Sequence, residues 1–393
     1  MSQADTAFFI TGEPSGDRHS APVVAELVRL GFSVRGVGGP LMAQAGAELL
    51  ADSLTWGGLG LPDSLRKAPR LYLRKLQLLA EIRRCRPSVV VLVDFGAFNV
   101  RLAQALRRPG DPPIFYYFPP GSWRQEPRDW SRLAAITDRI ATPFQRNAGF
   151  LRDSGADAHF VGHPVVDTLS PADDRAALRR EMGLTAPGPY VGLLPGSRGL
   201  ERATMSRLFL DAAQVMADQL PGVRFLWSEF ASADRMASDA VTRLNSRDDV
   251  TVLDDSHAIL RACDSVVVAM GTATVEAAAC LTPMVAAFDT GVVAKWIAER
   301  ILHQMRPMYA MPNILAGRMI VPEAVPLFAR DRVTPERVAE PVLEILKDPA
   351  RAEAMRAELA RVRGMLGTPG VSLRTAELIA DLARSRAAKA VGA

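Results

Sequence analysis

Short runs of β-branched and apolar residues alternate with amphipathic stretches along most of the chain, and this alternation constrains its fold more than any other feature. Such alternation is typical of parallel strands that are joined by helices. Two series of candidate strands result, at residues 7–11, 32–37, 88–93, 114–117 and 159–161, and then at 190–194, 223–227, 250–253, 265–269 and 284–288. The sequence therefore predicts an α/β protein with two doubly wound, Rossmann-like domains.

The predicted domain boundary is a polar, turn-rich stretch between the two series, where Pro171 and Pro187 flank one short helical piece. The length of 393 residues agrees with two domains, because single cores stop growing at about 250 to 300 residues. After Thr334 the sequence has helical periodicity and no strand candidate. We predict a first domain at residues 1–168, a second at 169–349 and a helical C-terminal segment at 350–393 that returns to the first domain.

The composition is that of a globular protein and excludes several other classes. Hydrophobic residues make up 48% and charged residues 23% of the chain, which excludes a disordered or collagenous protein. No apolar run approaches the roughly 20 residues that cross a bilayer, and residues 1–10 lack the features of a signal peptide. Three widely spaced cysteines, Cys85, Cys263 and Cys280, predict neither disulfides nor a metal site. We therefore expect a cytoplasmic protein.

The net charge of +4 is too small to indicate a nucleic-acid-binding protein, but its distribution is informative. Between Leu65 and Arg86 the chain carries eight basic residues and one acid, a balance of +7, which leaves −3 for the rest. Leucines and Tyr72 recur at helical spacing there. An interfacial helix on an anionic membrane and an ordinary amphipathic helix packed on a sheet both fit this pattern. Pro62 and Pro69 are expected to break the start of the helix.

Several common functional motifs are absent from the sequence, which has no GxxxxGK[ST], GxSxG or HExxH pattern. His159 and His163 are four residues apart, but they span a strand end and a turn, so a metal pair is not expected. Gly36, Gly38 and Gly39 follow a strand without the full dinucleotide fingerprint, which favours a glycine-rich turn over a dinucleotide site.

Open α/β sheets bind ligands at the carboxyl ends of their strands, and the first such end in this chain carries the motif GEPSGD. Its two glycines admit a close approach of the backbone, and Glu13, Ser15 and Asp17 offer polar contacts to a ligand. A tight turn with an Asp or Ser helix cap explains the motif equally well.

Two further strand ends in the first domain carry candidate residues. Asp94 follows the apolar strand 88–93 and begins the stretch DFGAFN, which ends at Asn99. A carboxylate at that edge can act as a general base, and its alternatives are a helix cap or a structural ion pair. His163, in VGHP, could carry protons, but a turn histidine is the favoured interpretation.

The second domain opens with a strand, the sequence PGSR and a helix. Free backbone N–H groups at a helix N-terminus bind anions, and here they lie beside Gly196, the hydroxyl of Ser197 and the forked guanidinium of Arg198. This combination is more specific than a lone glycine pair, and it predicts a diphosphate site.

A second strand end of this domain carries the sequence GTATVE, in which Gly271 and Thr272 begin a helix. Its hydroxyls and free N–H groups suit a phosphate, and Glu276, one turn into the helix, suits the paired hydroxyls of a ribose. Two such sites in one domain favour a nucleoside diphosphate over a single anion.

Taken together, these stretches resemble the lipid-A-disaccharide synthase family of inverting glycosyltransferases, which join a UDP-linked diacylglucosamine to a diacylglucosamine 1-phosphate. The matching motifs are GEPSGD, GVGGP, LMAQAG, VDFGAFN, PF then VGHP, LLPGSRGLE, GTATVEA, PMV, and PNILAG followed by IVPE, in the family's order over residues 8–323. That order and spacing are far more specific than any one motif. The resemblance implies a GT-B fold, in which the first domain binds the acceptor and the second binds the donor.

The resemblance also implies roles for individual residues. Asp94 matches the family's catalytic aspartate, which would deprotonate the acceptor hydroxyl so that in-line attack expels UDP with inversion. The UDP-sugar is a substrate, so neither a cofactor nor a metal is implied. The acceptor side would have Glu13, Ser15, Asp17, Asn99 and His163, and the nucleotide-sugar region would have Gly196, Ser197, Arg198, Gly271, Thr272, Glu276 and Asn313.

The sequence departs from the family pattern at several positions. Pro14 replaces the usual Ala of the first motif, Ala97 replaces an acid, and Met270 replaces a Ser. The segment 118–124, FPPGSWR, is shorter than its counterpart in the family. The motifs of the donor half therefore match the family pattern more closely than those of the acceptor half.

Three alternatives stay open at this point. They are a GT-B transferase with a different acceptor, an isomerase similar to UDP-GlcNAc 2-epimerases, and a non-catalytic relative that binds a nucleotide sugar or a lipid. Asp94 argues against the last of these, and Ala97 argues for it. The resemblance further implies a lipid-linked acceptor, a homodimer and peripheral association with the inner face of the cell membrane, which we assign to residues 65–86.

Overall fold

In a computed structural model the chain forms two units, Met1–Asp167 with Leu366–Ala393, and Thr168–Met365. Each unit has one parallel sheet flanked by helices, which confirms the predicted α/β class with two Rossmann-like domains. The structure describes residues 5–53, 56, 60–122, 129–196, 199–229, 243–244, 246–289, 308–326 and 331–391, with side chains except at 60–68, 199–201 and 386–391.

The sheet of the first unit has seven strands in the order β3-β2-β1-β4-β5-β6-β7. The strands are β1 Thr6–Ile10, β2 Ser33–Gly38, β3 Glu48–Asp52, β4 Val89–Val93, β5 Ile114–Tyr117, β6 Arg139–Thr142 and β7 Ala158–Phe160. The helices are Pro14–Arg29, Pro40–Gln44, Gly60–Cys85, Gly96–Ala105, Ser131–Ile136, Gln145–Asp153, Val165–Thr168 and Val371–Val391. The strand order reverses between β1 and β4, so the ends of these two strands form the switch point where such sheets bind ligands.

The sheet of the second unit has six strands in the order β10-β9-β8-β11-β12-β13. The strands are β8 Tyr190–Leu194, β9 Arg224–Ser228, β10 Val250–Leu253, β11 Ser265–Ala269, β12 Met284–Ala287 and β13 Glu323–Ala324. The helices are Arg175–Glu181, Gly199–Gln219, Ser256–Ala262, Thr272–Ala279, Met311–Ala316, Pro335–Lys347 and Pro349–Met365. Its switch point lies between β8 and β11, where the motifs PGSR and GTAT follow the strands.

Three of the strands at the two switch points, β4, β8 and β11, are buried along their whole length, because helices cover both faces of a parallel sheet. That burial explains why β4 has the continuous apolar sequence VVVLV. By contrast, β3 is an edge strand in which every second residue is exposed. The sequence did not predict β3, β6 or β13, which are short and lack an apolar run.

The end of the chain is helical, as predicted, and its last helix belongs to the first unit. The carboxylate of Asp167 accepts hydrogen bonds from the backbone N–H groups of Gly370, Val371 and Ser372, at 2.7, 3.1 and 3.0 Å. Asp167 thereby caps the helix Val371–Val391. The preceding helix, Pro349–Met365, belongs to the second unit, whereas the sequence placed residues from 350 onward in a separate segment.

The helix Gly60–Cys85 runs through both of its prolines, so the predicted break at Pro62 and Pro69 is wrong. Pro62 lies in the first turn, where a backbone N–H has no helical partner to lose. Pro69 is exposed, so the helix bond that its ring removes lies on the solvent side. Every helix in the described ranges is too short or too polar to cross a lipid bilayer.

Candidate active site

The switch point of the first unit brings the motifs GEPSGD and DFGAFN into contact. Ile10, the last residue of β1, pairs with Leu92 near the end of β4. A Cβ atom on Gly12 would lie 2.4 Å from Cδ1 of Phe95, so only a glycine allows the two loops to pack this closely. The sequence predicted both motifs as ligand sites, and the fold places them side by side.

Asp94 lies half-buried at the centre of this contact, with an unusual backbone conformation. Asp94 and Phe95 both have positive φ angles, 47° and 49°, in the left-handed region that residues other than glycine rarely adopt. Such strain costs about 1 to 3 kcal/mol at each residue and persists where surrounding contacts hold it. The strain coincides with the one residue that the sequence identified as a general base.

Asn99 provides one of the contacts that hold Asp94. Its buried amide Nδ2 donates to the carbonyl oxygens of Ile10, Val93 and Asp94, at 3.3, 3.2 and 3.0 Å. These bonds join the ends of β1 and β4 to the turn at Asp94. The Nδ2 group is therefore used within the protein, and the acceptor contact that the sequence assigns to Asn99 stays a prediction.

Asp17 also supports the loops. Its buried carboxylate accepts hydrogen bonds from the backbone N–H groups of Gly39 and Met42, both at 3.0 Å, and of Leu41 at 3.1 Å. It therefore caps the helix Pro40–Gln44 that follows β2, and not the helix that contains it. Glu13 and Ser15 remain half-buried at the start of the helix Pro14–Arg29.

His163 lies in a buried aromatic cluster. Its Nδ1 accepts a hydrogen bond from the N–H of Val165 at 3.2 Å, and burial together with the neighbouring His19 lowers the pKa of His163 well below its usual range. The ring of His19 stacks on Phe118 with centroids 4.6 Å apart, and both rings meet His163 edge-on at 5.5 Å. His163 is thus a neutral turn histidine, the interpretation that the sequence favoured.

Neither His19 nor Phe118 was predicted as part of this region. His19 follows the GEPSGD motif by two residues, but it belongs to a helix and no spacing rule marks it. Phe118 directly follows β5 and has a positive φ of 53°, and a sequence gives no sign of that strain. Residues 123–128, which include Trp123 and Arg124 at the end of the shortened segment, lie outside the described residues.

In the second unit, Gly196 and the end of β11 are close neighbours. Gly196 has a φ of 93°, and a Cβ atom there would lie 3.3 Å from that of Ala269. Gly271, with a φ of 138°, begins the helix Thr272–Ala279, and its carbonyl accepts the hydroxyl of Thr274 at 2.8 Å. Both predicted anion-binding turns thus lie at one switch point. Ser197 and Arg198 lie outside the described residues.

Glu276 is buried in the helix Thr272–Ala279, and its Oε1 lies 3.9 Å from Nε2 of His257. His257 belongs to the neighbouring helix Ser256–Ala262. The carboxylate of Asp255 caps the N-terminus of this helix by accepting hydrogen bonds from the N–H groups of His257 and Ala258. Sequence reasoning missed His257, because only the fold brings this helix beside Glu276. A carboxylate and an imidazole therefore flank the start of the helix that follows β11.

Asn313 lies buried in the helix Met311–Ala316 and bonds to the loop that follows this helix. Its Nδ2 donates to Oε1 of Glu323 at 2.7 Å and to the carbonyl of Val321 at 2.9 Å, and its Oδ1 accepts from the N–H groups of Ile320 and Val321 at 2.7 and 2.9 Å. Glu323 in turn accepts from the N–H of Ala310 at 2.8 Å. The amide that was predicted to bind the donor fixes the loop between Met311–Ala316 and β13.

In the described part of the chain, no group of three His, Cys, Asp or Glu side chains could hold a metal ion. Cys85, Cys263 and Cys280 are free thiols, and burial raises the pKa of Cys280 to about 12. Such thiols are poor nucleophiles and poor metal ligands near neutral pH.

Two Rossmann-like units with ligand-binding turns at their switch points are the defining features of the GT-B fold. Solved structures share the fold: a putative UDP-N-acetylglucosamine 2-epimerase from Listeria monocytogenes superposes with a TM-score of 0.62 at 12% identity, covering 95% of both chains. A sucrose-phosphate synthase from Thermosynechococcus elongatus superposes with a TM-score of 0.55 at 17% identity, covering 98% of this chain and 100% of that one. These likenesses concern the fold alone.

The family follows from the sequence comparisons. The model of the family described as lipid-A-disaccharide synthetase matches residues 7–363. The lipid-A-disaccharide synthase of Geobacter metallireducens is 32% identical over 378 residues, which cover 95% of this chain and 96% of the relative. The chain belongs to the lipid-A-disaccharide synthase family, a family of glycosyltransferases of lipid A biosynthesis, and is a hexosyltransferase. The isomerase alternative has no comparable support.

Proposed function

We propose that this protein transfers an acylated glucosamine from a UDP-sugar to a lipid-linked sugar phosphate, with inversion and release of UDP. The observation that supports this most directly is the position of Asp94, in a strained turn at the switch point of the first unit. The turns at Gly196 and Gly271 supply the second unit with two helix N-termini for a diphosphate. Each substrate class therefore has its own switch point.

In the proposed reaction Asp94 takes the proton from the acceptor hydroxyl. The oxygen's electron pair then forms a bond to the anomeric carbon of the donor, and the bond from that carbon to the diphosphate breaks, with its electron pair leaving on UDP. Attack opposite the leaving group inverts the anomeric carbon. The helix N-termini after β8 and β11, together with Arg198, stabilise the charge that develops on the diphosphate. We assign no metal and no cofactor to this reaction.

Incubation with acylated substrates tests the proposal. The purified protein is mixed with UDP-2,3-diacylglucosamine and 2,3-diacylglucosamine 1-phosphate, and mass spectrometry follows the disaccharide while NMR determines its anomeric linkage. We expect a β-linked disaccharide and an equal amount of UDP. UDP-GlcNAc serves as the donor without acyl chains. Equal turnover of both donors, or epimerised UDP-GlcNAc, would contradict the proposed substrate or reaction.

Arg198→Ala is expected to weaken UDP binding by about 1.5 to 3 kcal/mol, the scale of a hydrogen bond to a charged group. The reason is the position of Arg198 in PGSR, directly after β8 and before the helix Gly199–Gln219. Calorimetric titration with UDP measures the change. The matched control is Arg351→Ala, which removes an exposed arginine from the helix Pro349–Met365. Equal affinities for the parent and Arg198→Ala would remove Arg198 from the site.

We further propose that the helix Gly60–Cys85 holds the protein on the inner face of the cell membrane, where a lipid-linked acceptor is found. An exposed stripe of this helix, formed by Tyr72, Leu73 and Leu76, has 58, 60 and 45% of its surface accessible. The stripe is distinct from the helix's core contacts, which are made by Leu78, Leu79 and Ile82. The helix therefore has an apolar face that the described part of the fold leaves exposed.

The charges beside the stripe suit an anionic surface. Arg70 and Arg74 are exposed, and the guanidinium of Arg74 lies 5.4 Å from the ring centre of Trp56. The charges of two other basic residues in the segment are paired within the protein, since Arg83 forms a salt bridge with Asp111 and Arg84 forms one with Glu81. Apolar side chains that insert, with arginines beside them at headgroup level, are the pattern of an interfacial helix. The available charge is thus smaller than the +7 of the sequence.

Vesicle co-sedimentation tests the membrane role. Each basic residue near an anionic surface contributes about 1 kcal/mol, so Arg70→Gln with Arg74→Gln should weaken binding to vesicles containing phosphatidylglycerol about 30-fold. Arg351→Gln with Arg361→Gln removes the same charge from an exposed helix of the second unit and serves as the control. Similar losses in both double variants, or no binding by the parent, would contradict the assignment.

A further inference from the structure

Asp94 is held by a second side chain that the sequence did not mark. The hydroxyl of Tyr116 donates a hydrogen bond to the carbonyl oxygen of Asp94 at 2.9 Å. The same oxygen accepts Nδ2 of Asn99 at 3.0 Å. Two side chains, from the strand β5 and from the helix Gly96–Ala105, therefore converge on one backbone oxygen of the strained turn.

The rest of the turn is fixed by packing. Phe95 lies against the backbone of Gly12 and stacks on Phe98, with ring centres 5.1 Å apart. A Cβ atom on Gly96 would lie 2.7 Å from Cβ of Pro120, so Gly96 packs directly against Pro120 and leaves no room for a side chain. These contacts fix the residues after Asp94, while the carbonyl of Asp94 itself depends on its two hydrogen bonds.

Tyr116 is suited to hold the oxygen as a permanent donor. Its side chain is completely buried among the residues that pack between β4, β5 and the helix Gly60–Cys85. Burial, with the nearby charge of Asp94, raises the pKa of Tyr116 well above its usual range, so its hydroxyl keeps its proton. A hydrogen bond from this hydroxyl to a carbonyl is also stronger in the protein interior than in water, because the local dielectric constant is lower.

We propose that Tyr116 is a positioning residue, which aims the carboxylate of Asp94 by holding the Asp94 carbonyl oxygen in the left-handed turn. The inference deepens the proposed function and rests on the role of Asp94 as the general base. Tyr116 need not touch a substrate. Its hydroxyl fixes the peptide plane at Asp94, and the plane fixes the direction of the side chain at that residue. A general base misplaced by about 1 Å loses up to 100-fold in rate, so a lost bond at this oxygen should be measurable.

Tyr116→Phe tests the proposal, because it removes the hydroxyl and keeps the ring. We expect kcat of the full-length protein to fall about 5- to 50-fold, with KM for the donor changed by less than about threefold. The matched control is Tyr117→Phe, which removes a hydroxyl from the next residue of β5. That residue is equally buried, and its side chain points to the opposite face of the sheet. We expect kcat of the control to stay within about twofold of the parent.

A double-variant cycle separates positioning from general support. In the background of Asp94→Asn, Tyr116→Phe should cause no further loss of kcat, because the base that it aims is gone. The proposal would be overturned if Tyr116→Phe and Tyr117→Phe had the same kcat. It would also be overturned if Tyr116→Phe lowered kcat by the same factor in the parent and in the Asp94→Asn background. Melting temperature and UDP affinity are measured for every variant, and a loss of kcat that matches a loss of folded protein would also overturn it.

The cycle also distinguishes this proposal from the proposed function. Full activity of Asp94→Asn would show that Asp94 is not the base, and both ideas would fail together. An inactive Asp94→Asn beside a fully active Tyr116→Phe would leave the proposed function intact and reject only the positioning role.

Discussion

Replacing Asp94 by Asn is expected to lower the turnover of the enzyme by about 10²- to 10⁴-fold, the usual contribution of a general base. The variant keeps the shape of the side chain and removes its ability to take a proton. Asn also tolerates positive φ angles better than most residues, so the turn at 47° should persist. Initial rates at saturating donor and acceptor measure the effect, and calorimetry should show an unchanged UDP affinity.

A second aspartate of the same unit provides the comparison. Asp17→Asn makes the same chemical change at a carboxylate that accepts three backbone N–H groups, so its expected effect is on stability. Asp94→Asn should keep the parent's melting temperature, and Asp17→Asn should not. Unchanged turnover of Asp94→Asn would remove Asp94 from the mechanism. A large drop in its melting temperature would instead support the alternative that Asp94 is a structural cap.

Asn313→Asp is expected to destabilise the second unit by about 3 kcal/mol, which corresponds to a drop in melting temperature of about 6 to 12 °C. The variant has the same shape as Asn and can still accept the N–H groups of Ile320 and Val321. It cannot donate to the carbonyl of Val321, and it places a second carboxylate where Nδ2 now lies 2.7 Å from Oε1 of Glu323. Scanning calorimetry measures the change.

The partner substitution tests the cause of that loss. Glu323→Gln in the Asn313→Asp background exchanges the amide and the carboxylate, so that one again donates to the other. We expect the double variant to regain more than about half of the lost stability, because the like-charge repulsion is removed. If Asn313→Asp melts like the parent but loses UDP affinity, Asn313 contacts the donor directly and its role in the loop is minor.

The periodicity of the sequence was enough to predict the class of fold, because the central strands are buried on both faces. β4 and β11 consist of five buried residues each, and such runs stand out in a sequence. The strands that escaped prediction lie toward the sheet edges or are very short, as β3 and β13 are. Their pairing depends on neighbours that are distant in the chain, so no local pattern marks them.

The site was predictable where a motif directly follows a strand. Asp94, Gly196 and Gly271 all come within two residues of a strand end, and the switch-point rule identifies such positions from sequence. Asn99 and Asn313 were assigned to ligands because polar residues in matched motifs suggest binding. The fold shows that Nδ2 of each amide donates to backbone carbonyls, and only three-dimensional contacts reveal such partners.

The residues that no motif marked act through contacts between elements. Tyr116 belongs to β5 and reaches a carbonyl 22 residues earlier in the chain. His257 meets Glu276 only because two helices pack against each other. Tyrosine in a strand and histidine on a helix are ordinary in any sequence, so their contribution becomes visible only once the strand order is known.

The cap that Asp167 provides has a consequence for how the protein is made. Its carboxylate bonds to Ser372, 205 residues later, so the first unit lacks its last helix until residues 371–391 have been synthesised. At about 5 to 20 residues per second, that interval lasts about 10 to 40 s. The second unit, which is continuous in sequence, can complete its fold during this time. Translation therefore allows the second unit to fold before the first unit receives its last helix.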